Sequence, residues 1–231
     1  YEAGAAVTTG LSNTLIGGLT GDSLTDADNN TAVGTAALAT DTLGSHSTAV
    51  GESALRRQAF TTATNSYNTA VGSQAGSYIT TGTANTLMGG AAGDALTTGY
   101  DNVAIGYSAL SSDDVGARSV AVGRESLLSQ NFSTATQSYN VAVGYRAGYS
   151  VTTGTANTLI GGAASDNLTD ADYNIAIGVE ALSSDTLGSR SLAIGYSALY
   201  NQNFTTATDT YNTAVGYYAG NAITTGVFNV C

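Results

Sequence analysis

Residues 13–17 read Asn-Thr-Leu-Ile-Gly, and residues 30–34 read Asn-Thr-Ala-Val-Gly. The pattern returns along the whole chain and closes each time on a glycine: Gly17, Gly34, Gly51, Gly72, Gly89, Gly106, Gly123, Gly144, Gly161, Gly178, Gly195 and Gly216. The spacing between successive glycines of this series is 17, 17, 21, 17, 17, 17, 21, 17, 17, 17 and 21. Such a short, fixed period is typical of stacked structural units that contact mainly their neighbours.

The spacings themselves repeat in groups of four, 17/17/21/17. One such group separates Asn13 from the equivalent Asn85, and further groups lead to Asn157 and Asn229. We call each recurrence with its connector a rung, each longer step a long rung, and each set of four rungs a superrepeat. The sequence predicts an all-β, parallel β-roll or β-solenoid with about 12 rungs in a 17/17/21/17 rhythm. Residues 1–231 then form a single solenoid segment of a longer fibre, with superrepeats near 13–84, 85–156 and 157–228 and partial rungs at both ends.

The five places of the pattern alternate between the two faces of a strand, so the second and fourth places share one face and the third lies on the other. The fourth place is apolar in every rung. We therefore predict that the fourth-place residues form the structural core: Ile16, Val33, Val50, Val71, Met88, Ile105, Val122, Val143, Ile160, Ile177, Ile194 and Val215.

The third place is apolar as well, with Leu15, Leu87 and Leu159 opening the superrepeats and alanine in the other rungs. A strand that is apolar on both faces needs cover on both faces. A rung of this length is too short to wrap a second layer around itself. We therefore predict that the third-place face packs against an identical subunit, and that Ala104→Asp dissociates the subunits.

Two other places have a backbone role. Glycine at the fifth place permits a turn or a close backbone approach that a side chain would block. The leading Asn or Ser can hydrogen-bond in the turn that enters the strand, and stacked Asn residues can form ladders.

The composition narrows the set of partners. The chain has 6 basic residues against 17 acidic ones, a net charge of −11, and no proline. Such a surface repels nucleic acid and anionic membranes, so we expect neither nucleic-acid binding nor membrane contact by this segment. The absence of proline fits a chain in which most backbone N–H groups are needed for ladder bonds.

The long rungs carry a Phe and a Tyr that recur once in each superrepeat: Phe60, Tyr67, Phe132, Tyr139, Phe204 and Tyr211. One hypothesis is that these residues form contact loops that protrude toward a receptor or glycan. The alternative is that each Phe packs against the neighbouring rung and the loop is a spacer or an inter-subunit brace.

Few residues offer chemistry. The only histidine, His46, lies in a polar connector, and the paired carboxylates Asp26, Asp28, Asp170 and Asp172 are weak Ca²⁺ candidates. The middle superrepeat has Thr98 and Tyr100 at the equivalent places, which favours solvated connector turns. Catalysis needs converging groups in a cleft, and a regular repeat offers ridges instead. We expect no enzyme, no catalytic residue and no cofactor beyond the calcium hypothesis.

Residues 68–76, Asn-Thr-Ala-Val-Gly-Ser-Gln-Ala-Gly, and residues 102–110, Asn-Val-Ala-Ile-Gly-Tyr-Ser-Ala-Leu, carry a family resemblance, as do residues 191–199. The chain resembles the head repeats of trimeric autotransporter adhesins, and similar repeats occur in bacteriophage tail fibres. The resemblance implies a left-handed parallel β-roll, three chains side by side and a rigid extracellular rod. The 17/17/21/17 rhythm departs from the shorter repeats of the family.

The expected function is therefore a structural and adhesive one. The segment would belong to a homotrimeric fibre on a bacterial cell or virion surface, and it would space or present sites that bind a host receptor or glycan. A bacteriophage tail fibre shaft is the first alternative. The second is an ice- or polysaccharide-binding solenoid that uses threonine pairs, although these recur only once per superrepeat: Thr8-Thr9, Thr80-Thr81, Thr152-Thr153 and Thr224-Thr225.

Overall fold

A computed structural model describes residues 2–231, and this part of the chain contains β-strands and turns but no helix. Twelve three-residue strands, one per rung, form a single parallel sheet in which successive rungs are neighbours. They are β1 (Thr14–Ile16), β2 (Thr31–Val33), β4 (Thr48–Val50), β6 (Thr69–Val71), β7 (Thr86–Met88), β8 (Val103–Ile105), β10 (Val120–Val122), β12 (Val141–Val143), β13 (Thr158–Ile160), β14 (Ile175–Ile177), β16 (Leu192–Ile194) and β18 (Thr213–Val215).

Six two-residue strands make three further parallel ladders, each of which joins a long rung to the rung before it. The pairs are β3 (Gly44–Ser45) with β5 (Thr64–Asn65), β9 (Gly116–Ala117) with β11 (Thr136–Gln137), and β15 (Gly188–Ser189) with β17 (Thr208–Asp209). The predicted all-β parallel solenoid of about 12 rungs is confirmed. No helix within residues 2–231 is long and apolar enough to cross a membrane.

Pairing is in register throughout the main sheet, so equal places of successive rungs lie opposite one another. Ala104, for example, pairs with Leu87 on one side and with Ala121 on the other. Each place of the pattern thereby becomes a column of side chains that runs along the solenoid.

The face assignment made from the sequence is wrong. The third place faces the interior: Leu87, Ala104 and the equivalent residues from the second rung onward are fully buried. The fourth place faces outward, with Ile16 59% and Val215 56% exposed. No fourth-place residue is buried, so these twelve do not form the core of the chain: Ile16, Val33, Val50, Val71, Met88, Ile105, Val122, Val143, Ile160, Ile177, Ile194 and Val215.

The physical reason is the limited volume inside the coil, which also explains why the third place is Leu in the first rung of each superrepeat and Ala in the other three. Where the third place is Ala, the fourth residue after the rung glycine is usually a fully buried Leu, as in Leu110. Where the third place is Leu, that position is small. A Cβ on Gly93 would lie 2.8 Å from Cδ2 of Leu87, and one on Gly76 in the preceding rung would lie 2.7 Å from Cδ1 of Leu87. One leucine thus fills space left by two glycines.

The same burial changes the expectation for Ala104→Asp. Ala104 is enclosed by its own coil, so a carboxylate there would be desolvated without a partner. We now expect this substitution to disrupt the coil rather than to separate subunits.

The rung glycine has the close backbone approach expected of it. Gly106 adopts a φ of 135°, and a Cβ placed on it would lie 2.5 Å from the carbonyl oxygen of Gly123 in the next rung. An L-residue is excluded both by the backbone conformation and by the contact.

The leading Asn joins the rungs, as its pattern predicts. Asn85 is fully buried, and its Nδ2 donates to the carbonyl of Gly99 at 2.9 Å while its Oδ1 accepts from the backbone N–H of Asn102 at 3.1 Å. One side chain therefore satisfies two buried backbone groups, and the arrangement repeats up the stack.

The complementary sizes of Leu87 and Gly93 can be tested with a double substitution. Leu87→Ala leaves a cavity next to two glycines and should lower the free energy of unfolding by about 2–5 kcal/mol. Gly93→Leu alone should also destabilise, because the new side chain meets Leu87 and Leu96. The combination restores the Ala-and-Leu pair of Ala104 and Leu110, and Leu110 tolerates a φ of 53°, close to the 54° of Gly93. Leu96 stands where that rung has Asp113, and its Cδ1, 3.0 Å from a Cβ on Gly93, has to turn into the space that Leu87 vacates.

We expect the double variant to be more stable than Leu87→Ala in urea unfolding monitored by circular dichroism. A double variant less stable than both single variants would contradict the proposed volume exchange.

Candidate binding surfaces

The long-rung aromatic residues divide into a buried and an exposed set. Phe60, Phe132 and Phe204 are only 5%, 5% and 7% exposed, so the prediction that they protrude as contact residues is wrong. A Cβ on Gly44 would lie 2.7 Å from Cδ2 of Phe60, which shows that the Phe60 ring packs on the rung before it. The alternative, in which each Phe is a packing residue, is confirmed. The tyrosines Tyr67, Tyr139 and Tyr211 remain candidates, since they are 59%, 52% and 46% exposed.

Each of these tyrosines directly precedes the first place of its rung and adopts a left-handed backbone with a φ of 51°. This corner conformation recurs in every rung, so side chains at this position lie one above another. The column carries an exposed row that we call the aromatic ridge, and its members are His46, Tyr67, Arg118, Tyr139, Tyr173, Arg190, Tyr211 and Phe228. Ala84 and Ala156 interrupt the row after Tyr67 and Tyr139.

Contacts within the ridge are stacked and charge-assisted. His46 stacks on Tyr67 with ring centroids 5.3 Å apart. Arg118 donates from Nη1 to the hydroxyl of Tyr139 at 2.7 Å, and Nε of Arg190 lies 2.9 Å from a carboxylate oxygen of Asp209. These contacts fix the side chains, and the exposed rings with their hydroxyl and guanidinium groups offer a partner both apolar and polar contacts. The predicted His46 location in an exposed connector is confirmed.

The calcium candidates hold their connectors together instead of converging. Thr9 Oγ1 donates to Asp26 Oδ1 at 2.6 Å, and the backbone N–H of Leu11 donates to Asp28 Oδ1 at 2.6 Å. Asp170 and Asp172 accept equivalent hydrogen bonds from the rung before them. Within residues 2–231 no three His, Cys, Asp or Glu side chains lie close enough to share a metal ion. The calcium hypothesis therefore gains no support from the geometry.

The structure also contains a network of buried polar side chains that the sequence alone did not predict. In the first superrepeat, Gln58 Nε2 donates to Asp41 Oδ2 at 2.5 Å and to Ser47 Oγ at 2.8 Å, while its Oε1 accepts from Asn68 Nδ2 at 2.9 Å. We call this the long-rung network. It recurs around Gln130 and Gln202, and its Asp, Gln and Asn residues are essentially inaccessible to solvent.

Inaccessibility rules out contact between this network and a substrate, so its role is structural. Asp41 Oδ1 also accepts from the backbone N–H groups of Gly44 and Phe60, both at 3.1 Å. The network therefore closes the wider coil that the four additional residues create. Its sequence signal is the unbroken recurrence of Asp and Gln at the same two positions of each superrepeat.

The long-rung network of the second superrepeat leads to a prediction about how the stability of a Gln130 variant depends on pH. Burial raises the pKa of Asp113 despite the hydrogen bond from Gln130. Gln130→Glu places a second carboxylate against Asp113, so the folded state should bind a proton that the unfolded state releases. Stability should therefore fall as pH rises from the ordinary carboxyl pKa through the raised one.

We expect Gln130→Glu to melt well below the unsubstituted chain at pH 7 and to recover part of the difference at pH 5, as measured by thermal unfolding. Gln137→Glu is the matched control, because Gln137 is exposed on the same rung and next to Arg118. Its melting temperature should change little. Equal melting of both variants at pH 7 would contradict the role given to Gln130.

No protein-family model, no curated protein and no solved structure matches this chain.

Proposed function

We propose that this chain is a structural and adhesive segment of a trimeric extracellular fibre, on a bacterial cell or virion surface, that spaces or presents sites for attachment. The observation that carries the proposal is a row of aliphatic side chains on the outer face of the main sheet. We call the fourth-place side chains, from Ile16 to Val215, the outward stripe. It contains only Ile, Val and Met.

The outward stripe is long and regular. Twelve in-register strands at about 4.8 Å each extend over roughly 53 Å. Its members are half-buried or exposed in the single chain, and the second-place residues beside them include Val103, Val120, Val141, Ile175 and Leu192. A contiguous apolar surface of this extent is typical of an interaction site.

A further copy of the same chain is the partner that fits best. The stripe has one chemistry along its whole length and the rise of one strand per rung, so a partner needs a surface of the same period and polarity. Another copy provides one, and closed symmetry buries the stripe of every subunit. The number three comes from the resemblance to trimeric adhesin heads. The subunit contact thus moves from the third place, expected earlier, to the second and fourth places.

The charge distribution supports the same role. The net charge of −11 keeps an elongated rod soluble, and the exposed aromatic ridge offers contact groups for a host receptor or glycan. A bacteriophage tail fibre shaft requires the same architecture and differs only in the particle that carries it. We propose no catalytic activity and no resident cofactor, since the buried carboxylates serve the rungs.

One observation favours the second alternative, an ice- or polysaccharide-binding solenoid. The second place of the first five strands of the main sheet is always threonine, so outward hydroxyls recur at every strand spacing: Thr14, Thr31, Thr48, Thr69 and Thr86. These form a denser row than the threonine pairs in the connectors. They share the face of the outward stripe, so subunit packing and lattice binding compete for the same surface. Strong thermal hysteresis by the purified chain would favour the alternative.

The proposed trimer can be tested by measuring its mass. Native mass spectrometry should give three times the chain mass of 23.0 kDa. Ile105→Asp places a charge on the outward stripe and should shift the mass to one chain, while circular dichroism still reports β-structure. Thr98→Asp adds the same charge at an exposed connector and should leave the trimer intact.

A stable monomer of the unsubstituted chain would contradict the proposed assembly. A trimer that survives Ile105→Asp would show that another face joins the subunits.

A further inference from the structure

The three superrepeats provide an internal comparison. Whatever the solenoid requires of a position should reappear in every superrepeat, so residues that do not reappear are not required by the fold. Arg56, Arg57 and Tyr78 lie on adjacent rungs and do not reappear. Their equivalents are Leu128, Ser129 and Ser150 in the next superrepeat, and Tyr200, Asn201 and Ala222 in the last.

These three residues line one cleft between a long rung and the rung after it. The cleft has a volume of about 170 Å³, and Glu52, Ser53, Gln74 and Ser77 complete its walls. None of these residues lies in a strand. We call it the Arg–Tyr cleft. Its volume is below the roughly 300–1,000 Å³ of pockets for drug-sized ligands, so it suits one small group, such as the end of a larger chain.

The cations of the Arg–Tyr cleft are free to bind a ligand. Arg118, Arg124 and Arg190 each form an ion pair with an acidic side chain. Arg56 and Arg57 are exposed, and within the part of the chain that the structure describes neither forms an ion pair or a side-chain hydrogen bond. The guanidinium of Arg57 lies 4.2 Å from the centre of the Tyr78 ring, which fixes its position. Both arginines line the cleft, and a guanidinium group offers the paired N–H donors that a carboxylate accepts.

The same cleft also contains acceptors. Ser53 and Ser73 donate to the two oxygens of Glu52, at 2.6 and 3.0 Å, and these hydrogen bonds, together with the nearby charge of Arg56, lower the pKa of Glu52. Glu52 therefore remains an anion, and Gln74 and Ser77 can both donate and accept. A ligand that fits has one negative group for the arginines and neutral hydroxyl groups for Glu52. A phosphate monoester fits less well, because its second charge would face that carboxylate.

The surface continues past Tyr78 along the rod axis. The other side of Tyr78 borders a second hollow, lined by Asp94, Ala95, Thr97 and Asp114. Oδ1 of Asp94 is buried and has no hydrogen-bond partner among residues 2–231, and burial raises the pKa of Asp94. Asp94, Thr97 and Asp114 supply the polar groups of this hollow, and sugar hydroxyls can hydrogen-bond to groups of this kind. The two hollows together match a chain of sugar rings better than a lone ion.

We propose that the Arg–Tyr cleft binds the carboxylate-bearing terminal sugar of a surface glycan, with Arg56 and Arg57 on the carboxylate, Glu52 and Gln74 on ring hydroxyls, and Tyr78 against the ring. The next sugar extends toward Asp94. The cleft is built within one chain, so it forms with or without the trimer. The inference gives the proposed adhesive function a ligand class and rests on that function for its biological purpose.

Isothermal titration calorimetry with the full chain tests the proposal. The probes are glucuronic acid and N-acetylneuraminic acid, with glucose as the neutral sugar and inorganic phosphate as the bare anion. At least one sugar acid should bind ten times or more tightly than glucose and than phosphate. The stronger of the two identifies the glycan class.

The chain itself provides substitutions that the fold accepts. Arg56→Leu with Arg57→Ser, and separately Tyr78→Ser, install residues found at the equivalent positions of the second superrepeat. Each should weaken sugar-acid binding tenfold or more while the β-sheet circular dichroism signal is kept. The control Arg124→Tyr installs the residue of the third superrepeat and should leave affinity unchanged.

Equal affinity for glucose, tighter binding of phosphate, or full binding by the double arginine variant would overturn the proposal. The native mass of the same samples separates this result from the proposed function. A trimer without sugar-acid binding removes only the ligand inference, and a monomer that binds the sugar acid removes only the trimer.

Discussion

The structure depends on a close backbone contact between the glycines that end each strand. Every rung glycine has a φ between 130° and 141°, and in all but the last the carbonyl oxygen of the next rung glycine lies 2.3–2.7 Å from where a Cβ would stand. No other residue fits such a column, so the glycine fixes both the turn and the separation of the rungs. Buried Asn residues then hold the register by joining the backbone of adjacent rungs.

Register converts each place of the pattern into a line along the rod. The third place and the turn leucines fill the interior, the fourth place forms the outward stripe, and the residue before the first place forms the aromatic ridge. The four additional residues of the long rung would open this interior, and the buried Asp, Gln and Asn of the long-rung network close it. Polar groups can occupy such a narrow core because each is fully hydrogen-bonded.

Much of this architecture is predictable from the sequence. The glycine steps give the number of rungs and the parallel stacking, and the Asn and Gly places predict their own backbone roles. The faces are not predictable from alternation alone, because the third and fourth places are both apolar. The two faces are distinguished by residue size: the large Leu87 at the third place lies against Gly93 on the other side of the turn, where a larger residue would not fit. This relation is seen in the sequence only when the residue at the third place is compared with the residue four positions after the rung glycine.

The candidate contact residues show the same limit. Phe60 and Tyr67 belong to one loop and have similar patterns, yet the Phe is buried against Gly44 while the Tyr stands at a left-handed corner. Local sequence does not decide which ring points inward, because the rung below provides the space. The Arg–Tyr cleft has a sequence signal of another kind. Its residues depart from the internal repeat, and this departure sets them apart from positions that the fold requires.

X-ray diffraction from oriented films of the purified chain tests the central claim, that in-register parallel rungs stack along one axis. The account predicts a strong reflection at about 4.8 Å along the rod axis, from strands that lie across it. Absence of that reflection, or its appearance perpendicular to the rod axis, would contradict the stacking on which the interior, the outward stripe and the Arg–Tyr cleft all depend.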